Sequence, residues 1–158
     1  VIPGAAAGAG FSLALACDLR IAAEDAKLTT AFSRVGLSGD FGGSYFLSHL
    51  VGISKARELY FTGRVLPGQE ALELGIVNRV TASEDLEQEA NSYAAELAAL
   101  PTLAVGYMKK NLNAALKGSL SDVLDCEAIH MIRTFETDDH KKAAQAFLEK
   151  RAPEFSGQ

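Results

Sequence analysis

The sequence predicts an α/β body over residues 1–80 followed by an all-helical region over residues 81–158. Three observations lead there. Short apolar runs bounded by turn residues alternate with helically spaced segments in the first half. Two glycine-dense loops, at residues 3–10 and 36–43, each run into a helix. From residue 84 onward apolar residues recur at helical spacing alone, interrupted by Pro101 and by capping residues.

Val1 and Ile2 read as the end of a strand, and residues 10–17 as a buried helix. Residues 19–22 and 27–30 are short apolar strands, with Glu24, Asp25 and Ala26 turning between them. The second glycine-rich loop starts a helix that ends near Gly52; another covers residues 54–61 and stops at Gly63. Pro67 suits a first helical turn and Gly75 an exit, bracketing a helix over residues 68–74. Residues 76–80 form a strand. Ser83 is expected to cap a helix over residues 84–100, with Leu86, Ala90, Tyr93, Ala94 and Leu97 on its core face. Thr102 starts the next helix, through Leu116. Leu120, Val123, Leu124, Ala128, Met131 and Phe135 mark a third. Thr137 caps the last, with Asp138 and Asp139 in a first turn that favours negative charge. So much apolar helix surface needs a cover, either the α/β body or another subunit.

Composition narrows the function. The chain has 158 residues, 48% hydrophobic and 22% charged, enough for one soluble globular core. A net charge of −5 and the lack of any Lys/Arg run argue against nucleic acid as a partner. The apolar stretch at residues 11–17 is too short for a membrane span and stops at Asp18. No segment reads as a signal or transit peptide. Cys17 and Cys126 sit in apolar helical patterns and are expected to be buried free thiols, so a reducing, cytoplasmic place is expected. His49, His130 and His140 lack metal-ligand spacing, and no metal is expected. The chain opens at Val1, two residues before its most specialised loop, and is expected to be part of a longer polypeptide.

That loop, Pro3 to Gly10, strips side chains from the backbone just before a helix. Glycine gives access to φ values other residues resist, and free N–H groups at a helix start favour negative charge. It is either a tight packing contact or a site for a phosphate, a carboxylate or a developing oxyanion. A dinucleotide fingerprint fails because Leu13 stands at the third glycine position and Glu24 and Asp25 come too early. A phosphate loop fails for want of Gly-Lys-Ser/Thr. The oxyanion reading survives.

These residues resemble a known family. Gly4-x-x-x-Gly8-Ala9-Gly10, followed by Leu13-Ala14-x-Ala16-Cys17-Asp18-Leu19-Arg20-Ile21-Ala22, is similar to the signature of the enoyl-CoA hydratase/isomerase (crotonase) superfamily. Val35-Gly36-Leu37, Gly42-Gly43-Ser44, Leu59-x-x-Thr62-Gly63, Glu70-Ala71-x-x-x-Gly75-Ile76-Val77-Asn78-Arg79-Val80 and a tail from Thr137 to Arg151 follow in the family's order. The resemblance implies a ββα spiral over residues 1–80, its N-terminal part missing, and a helical trimerisation region over residues 81–158. About a hundred residues of the family domain would precede Val1.

The resemblance also implies a chemistry: two backbone N–H groups stabilise the enolate of an acyl-CoA thioester. Ala9 matches the residue that supplies the second donor, with Gly8 and Gly10 making room; the first would lie upstream, so residues 1–158 alone are expected to be inactive. Family hydratases use two glutamates, but Ser12 and Phe32 occupy those positions, which disfavours two-glutamate hydration. Asp40 matches the acidic residue of family isomerases and of a dehalogenase. One carboxylate suffices for a 1,3-proton shift, so a double-bond or ring isomerase is the leading expectation, with a nucleophilic Asp40 as the chemical alternative. Helix packing is the plainer reading of Ser12, and a solvated N-cap that of Asp40. Phe32 and Phe41 either line an aromatic-friendly acyl pocket or simply pack. Phe147 and Lys150 match positions that reach the CoA adenine and phosphates from a neighbouring subunit; otherwise they are a core aromatic and a solvated lysine. Coenzyme A would arrive as part of the substrate, with no other cofactor, and a homotrimer or hexamer is implied. The competing readings are a hydratase with non-standard acid and base residues, and a non-catalytic acyl-CoA-binding member of the family.

Overall fold

Small side chains set the first turns of the chain. In the computed structural model, which describes residues 1–158, Ile2 bridges Ala22 through paired backbone bonds of 2.8 and 2.9 Å. Strand β1 (Ala5–Ala7) then pairs in parallel with β3 (Lys27–Thr29), and β3 pairs antiparallel with β4 (Leu66–Pro67). A second sheet joins β2 (Ile21–Ala23) in parallel to β5 (Arg79–Thr81). Helix α1 (Ala9–Leu15) follows β1, α2 spans Gly43–Thr62, and α3 (Gly68–Glu73) follows β4. The core between these elements holds Phe11, Leu15, Leu28, Leu47, Leu59, Leu66, Ile76 and Val77, with Ala22, Ala23 and Ala26 where backbones come close. Burying each large side chain contributes about 1.5–3 kcal/mol.

Arg20 ties this body together from inside. Its Nε donates to Ile76 O at 2.5 Å, its guanidinium also bonds the carbonyls of Leu15 and Cys17, and its N–H donates to Asn78 Oδ1 at 2.8 Å. A buried charge is tolerated only with such partners.

Several expectations need correction. The stretch expected to be a loop contains β1, because parallel pairing with β3 overrides the weak strand preference of alanine. The strand expected at residues 76–80 is instead Arg79–Thr81, since Ile76 and Val77 are buried in the turn that receives Arg20. The helix expected to end near Gly52 and the one expected over residues 54–61 do, by contrast, stand as two helical segments of α2, divided at Gly52, whose backbone is not helical (φ 75°, ψ 158°), the second closed by Gly63. Ser83 caps nothing; its hydroxyl donates to Asp25 at 2.6 Å, and α4 begins later, covering Leu86–Ala98. Both cysteines are free, but Cys17 is exposed and Cys126 half-buried.

The chain forms two compact units, Val1–Ser92 and Tyr93–Gln158, which part within α4 rather than at residue 80. The second unit carries α5 (Thr102–Ala115), α6 (Leu120–Phe135) and α7 (Asp138–Leu148). The apolar residues that mark α6 are mostly uncovered, with Leu120 75% and Met131 66% exposed. Thr137 caps α7 as expected, its hydroxyl accepting from His140 N–H at 3.1 Å. Asp139 is buried and binds the C-terminal tail, accepting from the N–H groups of Ser156 (2.7 Å) and Gly157 (2.9 Å) and from the Ser156 hydroxyl (3.1 Å). No helix is long and apolar enough to cross a membrane.

Candidate functional site

The bend after β1 is built around Gly8. Its N–H donates to Thr29 O at 3.0 Å, and its φ of 52° with ψ of −121° reverses the chain into α1. A side chain is strongly disfavoured in that conformation, so glycine is required by the backbone rather than by space. The nearest atoms to a Cβ built there, on the Phe32 ring, lie at an ordinary 3.6 Å. Gly10 is different: a Cβ there would meet nothing within 4 Å and would project into open space. Between them the Ala9 N–H, the first of α1, forms no hydrogen bond within the protein. The bend thus offers one unengaged donor beside a cleared approach, which is what a developing oxyanion needs.

The floor of this bend comes from the loop after β3. Ala31 (φ 56°) turns the chain into a short 3₁₀ helix, Phe32–Val35, that buries Phe32 beneath Gly8. Phe32 stacks on Tyr60 of α2, with ring centroids 6.2 Å apart and planes 10° from parallel. Phe32 therefore serves as packing under the bend. Asp40 is exposed in the following loop. Its carbonyl, not its carboxylate, accepts the Gly43 N–H at 3.0 Å, and α2 is capped by Gly42 with no side-chain bond. The N-cap reading of Asp40 is thereby corrected: its carboxylate is left available. Phe41 is 61% exposed and also holds a positive φ of 45°. Two non-glycine residues in this left-handed region, one on each side of the loop, are the kind of strain that gathers at functional sites.

Tyr60 and Ser12 complete the arrangement. A Cβ at Gly43 would lie 2.2 Å from Ser12 Oγ and 2.6 Å from the Tyr60 hydroxyl, so α1 and α2 meet at a residue with no side chain. Ser12 packs there, buried, its hydroxyl donating to Gly8 O at 3.2 Å. Burial raises the Tyr60 phenol above its usual range, the nearby Ser12 hydroxyl opposes this, and the negative charge of Asp40 adds to it. Tyr60 thus lies against the Asp40 loop at Gly39 and close to Ser12 at Gly43. Sequence reasoning passed over it because a tyrosine among Leu59 and Phe61 looks like any helix residue.

Phe147 and Lys150 belong to the helical unit. Phe147 is 82% exposed, which removes the core-aromatic reading, and Lys150 is exposed with φ 55°. An apolar cleft of about 230 Å³ lies along α2, lined by Ser44, Ile53, Ala56, Arg57, Tyr60 and Phe61. A separate apolar hollow of about 250 Å³ sits in the helical unit between Leu103, Met131 and Phe155. It lies among other residues than the bend.

A sequence model of the family described as Enoyl-CoA hydratase/isomerase matches residues 1–158. The 1,2-epoxyphenylacetyl-CoA isomerase of Escherichia coli K12 is 37% identical over 99% of this chain and 60% of that protein. The short-chain-enoyl-CoA hydratase of Clostridium acetobutylicum is 33% identical over 95% of this chain and 58% of that protein. A solved enoyl-CoA hydratase subunit from Geobacillus kaustophilus superposes with a TM-score of 0.95 at 36% identity, covering 99% of this chain and 61% of the other. The enoyl-CoA hydratase of Bacillus anthracis gives 0.93 at 35% identity, with 98% and 60% covered. The chain thus spans about 60% of the length of the relatives it matches.

Proposed function

The chain belongs to the enoyl-CoA hydratase/isomerase family and has the crotonase fold over the part matched, and from that premise we propose that it serves an acyl-CoA enzyme that isomerises its substrate through a thioester enolate. The Ala9 N–H is one of the two donors to the thioester oxygen. Asp40 takes a proton from one carbon: the C–H bond breaks, an O–H bond forms on the carboxylate, and the electron pair moves onto the thioester oxygen. The same proton then returns to a different carbon as the carbonyl reforms. Preorganised donors at that oxygen contribute about 3–4 kcal/mol each. The acyl group lies over Phe41, while Phe147 and Lys150 of a neighbouring subunit meet the CoA end in a trimer or hexamer. Coenzyme A comes with the substrate and no other cofactor takes part. The free thiols of Cys17 and Cys126 fit a cytoplasmic place.

One observation carries this reading: the unengaged Ala9 amide and the uncommitted Asp40 carboxylate lie on loops that both pack against the stacked Phe32 and Tyr60 rings. Where family hydratases place glutamates, this chain has a packed serine and a buried phenylalanine. The test is deuterium exchange at the α-carbon of butyryl-CoA, using the protein at its natural length. Asp40→Asn is expected to abolish exchange and to leave affinity within about threefold. Unchanged exchange removes Asp40 from the mechanism. A second reading, hydration, is favoured by the relative named short-chain-enoyl-CoA hydratase. Water addition to crotonyl-CoA at a rate exceeding proton exchange would establish it, and binding without any turnover would mark a non-catalytic member.

A further inference from the structure

We propose that Asp139 is a positioning residue for the coenzyme end of the substrate: by tying residues 151–158 back along α7, it fixes the turn that presents Phe147 and Lys150. This rests on the reading of those two residues given above. Helix α7 ends at Leu148, and beyond it Lys150 holds a φ of 55°. The Lys150 N–H donates to Phe147 O at 3.2 Å and the Arg151 N–H to Ala146 O at 3.0 Å. These are the two bonds of a Schellman turn, whose left-handed position is normally filled by glycine. A lysine there is disfavoured by its own Cβ, so a hold beyond the turn itself is needed.

The ion pair of Arg151 with Glu149 is exposed on both sides and contributes little. The stronger hold lies at the other end of α7. Asp139, buried in the first turn, accepts from the Ser156 N–H (2.7 Å), the Gly157 N–H (2.9 Å) and the Ser156 hydroxyl (3.1 Å), and its own N–H donates to Gln158 O at 2.9 Å. Hydrogen bonds to an ionised carboxylate are about twice as strong as neutral ones. Beside them Phe155 lines the apolar hollow with Leu103, Met131 and Phe135.

Between these two anchors the chain has little slack. From Ala146 back to Asp139 the helix rises about 10 Å, and the five steps from Arg151 to Ser156 reach at most about 17 Å. Pro153 fixes its own φ and biases Ala152 towards extended backbone. Residues 151–158 are thus a short strap fastened to the last and first turns of one helix. Release at Asp139 lets the strap move, and Lys150 relaxes to the right-handed backbone that a lysine prefers. The last turn of α7, which carries Phe147, then frays and Lys150 is re-aimed. Side chains fixed in advance lower the ordering cost of binding, and Asp139 acts on the substrate only in this way.

The test measures dissociation constants of butyryl-CoA and of butyryl-pantetheine, which lacks the adenine nucleotide, with the protein at its natural length. Lys150→Met is expected to weaken butyryl-CoA about three- to tenfold and to spare butyryl-pantetheine. Asp139→Asn is expected to show the same split, about three- to fivefold. So is Gly157→Pro, which opens the clasp from the strap side, because proline has no N–H and cannot adopt the Gly157 φ of 76°. If butyryl-CoA fails to bind the wild type, the acyl-CoA reading falls; if Lys150→Met leaves its binding unchanged, the reading of Lys150 falls; this inference falls with either. If Lys150→Met weakens butyryl-CoA and the two clasp variants do not, the strap alone is overturned. Equal weakening of both ligands by the clasp variants marks a merely structural role and overturns it too.

Discussion

Helices α1 and α6 show opposite ways of holding a helix. The seven-residue α1 has no side-chain cap, yet Phe11, Ser12 and Leu15 are buried. The sixteen-residue α6 has a complete capping box between Ser119 and Asp122 and not one buried residue. Seven residues are too few to hold a helix in water by local preference, so α1 exists because the body grips it. For α6, length and caps supply what packing within its unit does not. The Ala9 amide therefore inherits its position from tertiary contacts, while the helical unit owes its order largely to local signals.

The largest expected effect breaks the grip on α1. Phe11→Ala empties a fully enclosed site and is expected to cost about 3–5 kcal/mol, read by urea unfolding. A loss under 1 kcal/mol would mean that α1 does not depend on its packing. Gly43→Ala comes next. Its methyl would strike the Ser12 and Tyr60 hydroxyls, at an expected cost of about 1–3 kcal/mol together with a loss of α-proton exchange. Normal exchange in a destabilised Gly43→Ala protein would separate the site from the helix contact. Ser119→Ala removes the α6 cap and should cost about 1 kcal/mol, with helix fraying seen in amide exchange and no change at Ala9.

The smallest global effect comes from acid acting on Asp139. The N–H groups of Ser156 and Gly157 and the Ser156 hydroxyl hold its carboxyl below the ordinary aspartate range, the Ser156 N–H most strongly and against the opposing effect of burial. A lowered pKa contributes stability that is present above the ordinary value of about 4 and is lost as pH falls through the lowered one. The amides of Ser156 and Gly157 should therefore keep their exchange protection at about pH 4 and lose it only as the pH falls further, through the lowered value, and Asp139→Asn should flatten that dependence. Protection at pH 7 that is equal in the wild type and in Asp139→Asn would contradict the clamp.

What was legible in the sequence follows the same division. Gly63, Pro101, Thr137 and the spacing of residues 120–135 act locally, and they placed their helices closely. Strand β1 was hidden because three alanines do not look like a strand until Lys27, Leu28 and Thr29 pair with them. Ala31 and Phe41 adopt left-handed φ values that nothing in their own side chains announces. At the site, glycine chemistry and family motifs pointed to Ala9 and Asp40. Tyr60 was out of reach, since its place beside Ser12, forty-eight positions earlier in the chain, arises only where α1 and α2 meet at Gly43. Arg20 was likewise read as part of an apolar strand, because its acceptors at Leu15, Cys17 and Ile76 converge only after folding.

Arg20 has a mechanical consequence. Helix α1 is a strut about 10 Å long, secured at its far end by the carbonyl bond of Leu15 to Arg20 and at its near end by Ser12 and Gly8. Arg20 also holds the segment at Ile76 and Asn78. A displacement of that distant segment would thus push along a short rod whose tip is the Ala9 amide, so aim at one atom depends on anchorage nearly seventy residues away in sequence.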